Sequence, residues 1–451
     1  MTKVADRPAS RSAAEVRSIL RYEKVRFLRL VFSDIHGVVK NVEVPDKQFD
    51  KAIDGEIMFD GSSIAGFVRI QESDMLLRPD LNSFRVFPRE DDTDRVAMVI
   101  CDVALPDGSP FAGDPRFALR RAVDKARALG YQSMMGPEAE FFLFHHNEDG
   151  TPTTVTHDIG GYFDLAPVDR GEDARRDIVN VLEQMGFEVE AAHHEVAPGQ
   201  HEIDFKYADA LDTADNLMIF KHVVRKVALQ HTLHATFMPK PLHGENGSGM
   251  HVHQSLLSLS GSNAFDEPSG DHGLSDVAMK YIGGILAHAK GICAVTNPTV
   301  NSFKRLVPGY EAPTNIAWSE SNRSPMVRVP ARRGAGTRCE VRMPDPACNP
   351  YLAFAVMLTA GLDGLENDLK AGDPVQKNFF EMSEREKRRM KIDKLPANLF
   401  EAVKALQKDK VVMDALGGHV AEHFIEGKLQ DWQDYITAVH PWEVDRYLGM
   451  Y

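Results

Sequence analysis

The chain has 451 residues, 43% of them hydrophobic, enough to bury a large core and, by length alone, to build two or three domains. A formal net charge of −14 with no offsetting basic patch argues against nucleic acid as a partner. Cys101, Cys293, Cys339 and Cys348 fall into neither a paired metal spacing nor a disulfide framework, and neither a signal peptide nor a membrane span is apparent, so the chain reads as a cytoplasmic protein with reduced thiols.

Ser12 caps a short helix carrying Val16, Ile19 and Leu20, and strands follow near 25–32 and 38–44, joined by Asp34-Ile35-His36-Gly37. Asp60 stands before Gly61-Ser62-Ser63 and, taken alone, reads as the cap of that turn. Further strands at 84–87 and 96–103 complete a small β-rich unit, with a boundary at Asp107-Gly108-Ser109-Pro110.

Asp114-Pro115 opens a helix with Leu119, Ala122, Val123, Ala126 and Leu129 on one side, ended by Gly130. The next segment sets Glu138 and Glu140 two residues apart, directly before Phe141-Phe142-Leu143-Phe144. Like charges side by side repel unless something positive lies between them. A second helix, 174–185, is closed by Gly186 and feeds another carboxylate-bearing strand that breaks at Ala197-Pro198-Gly199, so Glu195 and Glu202 face each other across the corner.

Asn246-Gly247-Ser248-Gly249 is a flexible loop before His251 and His253, which share one strand face. In 337–343, Arg338, Glu340 and Arg342 share one face while Cys339, Val341 and Met343 share the other. Each stripe alone reads as a solvated strand face, and His251 alone as a core histidine. Together, Glu138, Glu140, Glu195, Glu202, Glu340 and His251 call for a cation, and so oxygen-rich a set suits Mg²⁺ or Mn²⁺ rather than structural zinc. Two such ions would form the clamp that phosphoryl transfer requires. The charged run 384–391 reads as a solvated helix or loop, and Walker A, G-x-G-x-x-G and H-E-x-x-H motifs are absent.

Asp60-Gly61-Ser62-Ser63, Gly136-Pro137-Glu138-Ala139-Glu140, Pro198-Gly199-Gln200-His201-Glu202, Asn246-Gly247-Ser248-Gly249-Met250-His251, Arg305-Leu306-Val307-Pro308-Gly309-Tyr310-Glu311 and Arg323-Ser324-Pro325 resemble the bacterial type I glutamine synthetases, over nearly the whole chain. The resemblance implies an α+β fold: a small β-grasp-like N-terminal domain, 1–110, and a larger catalytic domain, 111–451, whose curved antiparallel sheet is backed by helices. It implies ATP-dependent joining of ammonia to the γ-carboxylate of L-glutamate through a γ-glutamyl phosphate.

By resemblance, Glu140, Glu195 and Glu202 would hold one Mg²⁺ or Mn²⁺, and Glu138, His251 and Glu340 the other. Arg305, Arg342, Asn246 and Gly247 would bind glutamate, while His253, Ser255, Arg323, Arg328 and Arg338 would bind the nucleotide, Arg323 also acting in catalysis. Glu311 would be a flap carboxylate, and Asp60 would come from a neighbouring subunit of a dodecamer of two hexameric rings.

Within the family, the absence of tyrosine around 391–396 resembles the feedback-inhibited branch that is not adenylylated. Arg69 matches that branch's glutamine-sensing arginine, although it could equally pair with Glu72 or Asp74 on the surface, and a nitrogen-regulator protein would be a partner. Ala65 departs from the pattern where many relatives carry glutamate. The terminal Trp442, Tyr447, Met450 and Tyr451 fit tails that anchor in a partner subunit. The rival reading is a paralogue joining glutamate to a larger amine, such as a polyamine. It should replace the small anionic ammonium pocket, yet Asp60 and Glu311 are both present. A catalytically silent ligand-binding relative should have lost metal ligands, and all six remain.

Overall fold

A computed structural model describes residues 11–66, 74–88, 94–320, 324–377, 382–390 and 392–451. The N-terminal part is a six-stranded sheet in the order Val39–Pro45, Phe27–Ser33, Val96–Ala104, Asp74–Pro79, Ile57–Asp60, with Arg85–Val86 also paired to the 96–104 strand. The first two strands form the expected hairpin, whose turn is closed by the Asp34 carboxylate accepting from the backbone N–H groups of His36 and Val38, both at 2.9 Å. Helix Ala13–Tyr22 lies over this sheet. It starts at a reciprocal Ser12–Glu15 cap and buries Val16 and Leu20, as the apolar spacing predicts.

Beyond Asp114, which caps helix Pro115–Ala128, the C-terminal part carries two sheets where a single one was expected. One has seven strands, ordered Ala208–Asp209, Tyr131–Ala139, Met250–Ser258, Cys339–Val341, Pro325–Arg328, Asn315–Ser319, Asp393–Lys394. The other has five: Val189–His194, Gln200–Phe205, Phe141–His146 and Leu233–Thr236 in order, with Pro152–Thr156 alongside the third. The chain passes between them at Glu140, so Glu138 lies in the seven-stranded sheet while Glu140 sits at the crossing, outside both. All pairs in the two sheets are antiparallel except Asn315–Ser319 with Pro325–Arg328, which run parallel.

Helix Ala210–Gln230 and the apolar helix Pro350–Glu366 are buried behind the sheets. No helix among the described residues is long and apolar enough to cross a membrane.

His288, at the junction of helices Asp276–Ala287 and Ala289–Thr296, joins two further elements. Its Nδ1 lies 2.8 Å from Asp409 and its Nε2 3.0 Å from Asp363. Both nitrogens face carboxylates, so the doubly protonated ring fits best. Burial draws its pKa down, but the two hydrogen-bonded aspartates outweigh this and the net shift is upward. A raised folded-state pKa stabilises fully below the unfolded value of about 6.5 and is lost as pH rises through the folded value. We expect the melting temperature to fall across that window, and His288→Gln to remove this part of the fall. An identical pH profile in the variant would refute the assignment.

Candidate active site

Strand register builds the site. In the seven-stranded sheet His251 lies directly opposite Glu138, His253 opposite Glu340, and Glu340 opposite Arg328. Opposed residues of antiparallel strands share a face, which puts these side chains, together with Ser255 two residues beyond His253, on one surface. His251 Nδ1 is 3.4 Å from Glu138 Oε2 and 3.7 Å from Glu340 Oε1, a spacing at which one ion could meet all three residues.

The second cluster comes from the hairpin of the five-stranded sheet. The turn at Ala197-Pro198-Gly199 closes with the Gln200 N–H donating to Ala197 O at 3.0 Å. Gly199 stands there at φ +70, where an added Cβ would lie 2.9 Å from Leu143 O. Across the hairpin His193 opposes Glu202, with Nε2 3.1 Å from Glu202 Oε1 and Nδ1 3.5 Å from Glu195 Oε1. Glu195 and Glu202 therefore meet as the corner predicted, but with His193 between them. His193 was not singled out from the sequence, although its place two residues before Glu195, near the end of strand Val189–His194, was the available clue.

Glu140 lines the same small cavity as Glu195, with Gln200, Asn246, Gly247, His251, Arg305, Tyr310, Glu311 and Arg342. Its Oε2 accepts from Gln200 Nε2 at 2.7 Å and from the Gly249 N–H at 3.0 Å. Gln200, likewise unassigned from the sequence, thus holds one of the carboxylates. A larger hollow of about 580 Å³ opens elsewhere, beside Lys290, Trp318 and Asp393, and holds neither cluster.

The electrostatics fit a cation site. Burial, then the charge of Glu195, pushes the Glu140 pKa up to about 8. Burial, then Glu202, pushes Glu195 up to about 7, and burial, then Asp204, raises Glu202 well above the carboxylate range. Carboxylates this crowded ionise together only when a positive charge joins them, and oxygen donors with one imidazole per cluster suit Mg²⁺ or Mn²⁺. Glu138 differs. Burial opposes its ionisation, but hydrogen bonds to His251 and His253 hold its pKa below the usual range.

The arginines divide by role. Glu340, fully buried, accepts from Arg328 Nη1 at 2.6 Å and from Arg342 Nη1, and the buried Arg342 Nε has no partner. Arg338 Nε donates to His253 Nδ1 at 3.0 Å, which leaves His253 Nε2–H to donate to Glu138 Oε1 at 2.7 Å. Here His253 supports Glu138. Arg305 reaches the cavity, but its guanidinium donates to Met343 O at 2.8 Å, Pro344 O at 3.2 Å and Arg342 O at 3.2 Å, so it also braces the strand end that carries Arg342.

Glu311 stands at φ +51 on a segment without helix or strand, a conformation that a non-glycine residue adopts at a cost. Asp60 lies apart in the N-terminal sheet, where its Oδ1 accepts from the Ser62 N–H at 2.8 Å, as the turn-cap reading expects, and it is not among the cavity's lining residues. Arg69 and Arg323 fall outside the described residues.

A β-rich unit followed by a two-sheet α+β unit, with carboxylate–histidine clusters beside arginines, describes an enzyme built for anionic substrates and divalent ions. Residues 24–106 match the glutamine synthetase β-grasp domain and 112–447 the glutamine synthetase catalytic domain. The chain is 61% identical over 442 residues to the glutamine synthetase of Thermus thermophilus, covering 97% of this chain and 99% of that one. It is 56% identical over 437 residues to the glutamine synthetase of Clostridium saccharobutylicum, covering 97% and 98%. Among solved structures, GmaS in complex with ADP superposes with a TM-score of 0.87 at 34% identity, covering 96% of this chain and 99% of that one. The chain belongs to the glutamine synthetase family, and it is an enzyme.

Proposed function

We propose that this enzyme joins ammonia to the γ-carboxylate of L-glutamate at the expense of ATP. The observation that carries the reading is the pair of carboxylate–histidine clusters opening on a cavity that also holds Arg305, Arg342 and Glu311. The γ-carboxylate is a poor acyl donor because its leaving group would be oxide. Its oxygen therefore attacks the γ-phosphorus of ATP, ADP departs, and γ-glutamyl phosphate forms. Ammonia nitrogen then attacks the acyl carbon and phosphate leaves, giving glutamine.

In this scheme Arg305 and Arg342, with the Asn246-Gly247 backbone, hold glutamate. The unpartnered Arg342 Nε supports that role. Arg323, Arg328 and Arg338 meet the phosphates, with His253 and Ser255 on the nucleotide side. Two divalent ions, Mg²⁺ or Mn²⁺, would offset phosphoryl charge, one held by Glu138, His251 and Glu340, the other by Glu140, Glu195 and Glu202 with His193 nearby. Asp60 and Glu311 bind ammonium and accept its proton, and Glu311 then shields the acyl phosphate from water.

The two domains meet near residue 110. We read the site as completed by Asp60 of a neighbouring subunit in a dodecamer of two hexameric rings, a reading that the place of Asp60 outside its own chain's cavity lining supports. Exposure of Trp442, Leu448, Met450 and Tyr451 at and beyond helix Pro441–Tyr447 is consistent with a tail that buries itself in a partner copy. The enzyme is of the cytoplasmic type I class, in the feedback-inhibited branch that is not adenylylated, with Arg69 sensing glutamine. A nitrogen-regulator protein would read that inhibited state.

Incubation with ATP, glutamate and ammonium should release ADP and glutamine in equal amounts and stop when either glutamate or ammonium is withheld. Product formed only with a polyamine or another large amine would replace the ammonia reading with the paralogue.

A further inference from the structure

The segment carrying Glu311 is held from outside the cavity by a cation at Tyr310 and, at its far end, by the Leu395 N–H donating to Thr314 O at 3.0 Å. After Arg305 the backbone makes an inverse γ-turn, with Leu306 at φ −74 and ψ 56 and the Val307 N–H donating to Arg305 O at 2.7 Å. It then runs to Asn315 with no helix or strand, passing Gly309 at φ +99 and Glu311 at φ +51. So weakly supported a stretch needs an external hold to keep Tyr310 and Glu311 in the cavity wall.

Lys240 is placed to supply that hold. Its Nζ lies 3.7 Å from the centroid of the Tyr310 ring and donates to the carbonyl of Glu245, the residue before Asn246-Gly247. Its own backbone is fixed: the N–H donates to Asn301 Oδ1 at 2.7 Å and the C=O accepts from Asn301 Nδ2 at 3.0 Å. The preceding Pro239 O accepts from the Ser248 N–H at 2.8 Å. One ammonium group on a rigid base thus touches both loops that line the cavity from this side. A lysine over an aromatic ring is common on protein surfaces, but such a chance contact would have no reason to join two cavity loops.

We propose that Lys240 is a positioning residue that latches the 307–311 flap to the Asn246-Gly247 loop, holding Glu311 over the acyl phosphate while ammonia attacks. The inference rests on the ligase reading above. With the latch broken, water takes the place of ammonia: its oxygen attacks the acyl carbon, phosphate leaves, and glutamate returns with ATP spent.

The test measures phosphate and glutamine together under saturating ATP, glutamate and ammonium. Glutamine made by the wild type tests the ligase reading, and the ratio of phosphate to glutamine tests the latch. Lys240→Met should raise that ratio about 3- to 30-fold, the range that a partly desolvated cation–ring contact spans. Lys240→Arg, which keeps the cation, should stay near wild type. Tyr310→Leu should reproduce the leak, and adding Lys240→Met to it should raise the ratio no further. A ratio for Lys240→Met within about twofold of wild type, below that range, or Lys240→Arg leaking as much as Lys240→Met, would overturn the proposal.

Discussion

Glu340→Gln should lower glutamine synthesis by about 10³-fold or more, equivalent to at least about 4 kcal/mol of transition-state stabilisation. It should also reduce the divalent ions bound per chain from two to one. The substitution keeps the shape and an oxygen acceptor but removes the charge. In the native site that charge sits 3.7 Å from His251 Nδ1 and between the guanidinium groups of Arg328 and Arg342. Without it, Glu138 and His251 face two uncompensated arginines on the same sheet surface, and cation binding there must overcome that repulsion. Metal stoichiometry by equilibrium dialysis and turnover on the same preparation decide the matter. Two ions still bound and wild-type turnover would remove Glu340 from the ligand set.

What the sequence could convey about this site follows from how local each signal is. Side-chain alternation is fixed by the backbone within a strand, so the shared face of Arg338, Glu340 and Arg342, and that of His251 and His253, could be read directly. The caps at Ser12 and Asp114 and the turn at Pro198-Gly199 are equally local. Alternation failed at Glu138 and Glu140, which look like one stripe but are separated by the passage from one sheet to the other. That passage depends on which strands pair, and pairing is a long-range outcome. The same limit hid Gln200 and His193, whose roles arise only when Glu140 and Glu202 are brought beside them. The assignment of Asp60 and Arg69 to roles came from family resemblance, since an exposed aspartate before a Gly-Ser turn is locally a cap and nothing more.

The buried contact between the N-terminal sheet and the catalytic helices had no sequence signature, yet it should carry the largest single effect on stability. Arg116 is wholly buried. It donates from Nε and Nη2 to Asp215 at 2.9 and 2.7 Å, from Nη2 to Asp80 at 2.7 Å, and from Nη1 to Asp102. Asp102 belongs to the N-terminal sheet and Asp80 directly follows its strand Asp74–Pro79, while Asp215 lies in helix Ala210–Gln230 and also accepts from the Tyr351 hydroxyl at 2.8 Å. One guanidinium therefore serves carboxylates from both domains. Arg116→Met fills a similar volume but leaves Asp215 buried without its cation, a change that typically costs about 3–5 kcal/mol. Burial already raises the Asp215 pKa, with Arg116 opposing that rise. In the variant the carboxyl should take up a proton, which limits the loss at acid pH and deepens it above neutrality. Urea unfolding at fixed protein concentration should show this loss growing between pH 6 and 8, whereas a pH-independent loss below about 1 kcal/mol, no more than a surface pair is worth, would mean that packing and not charge joins the two domains.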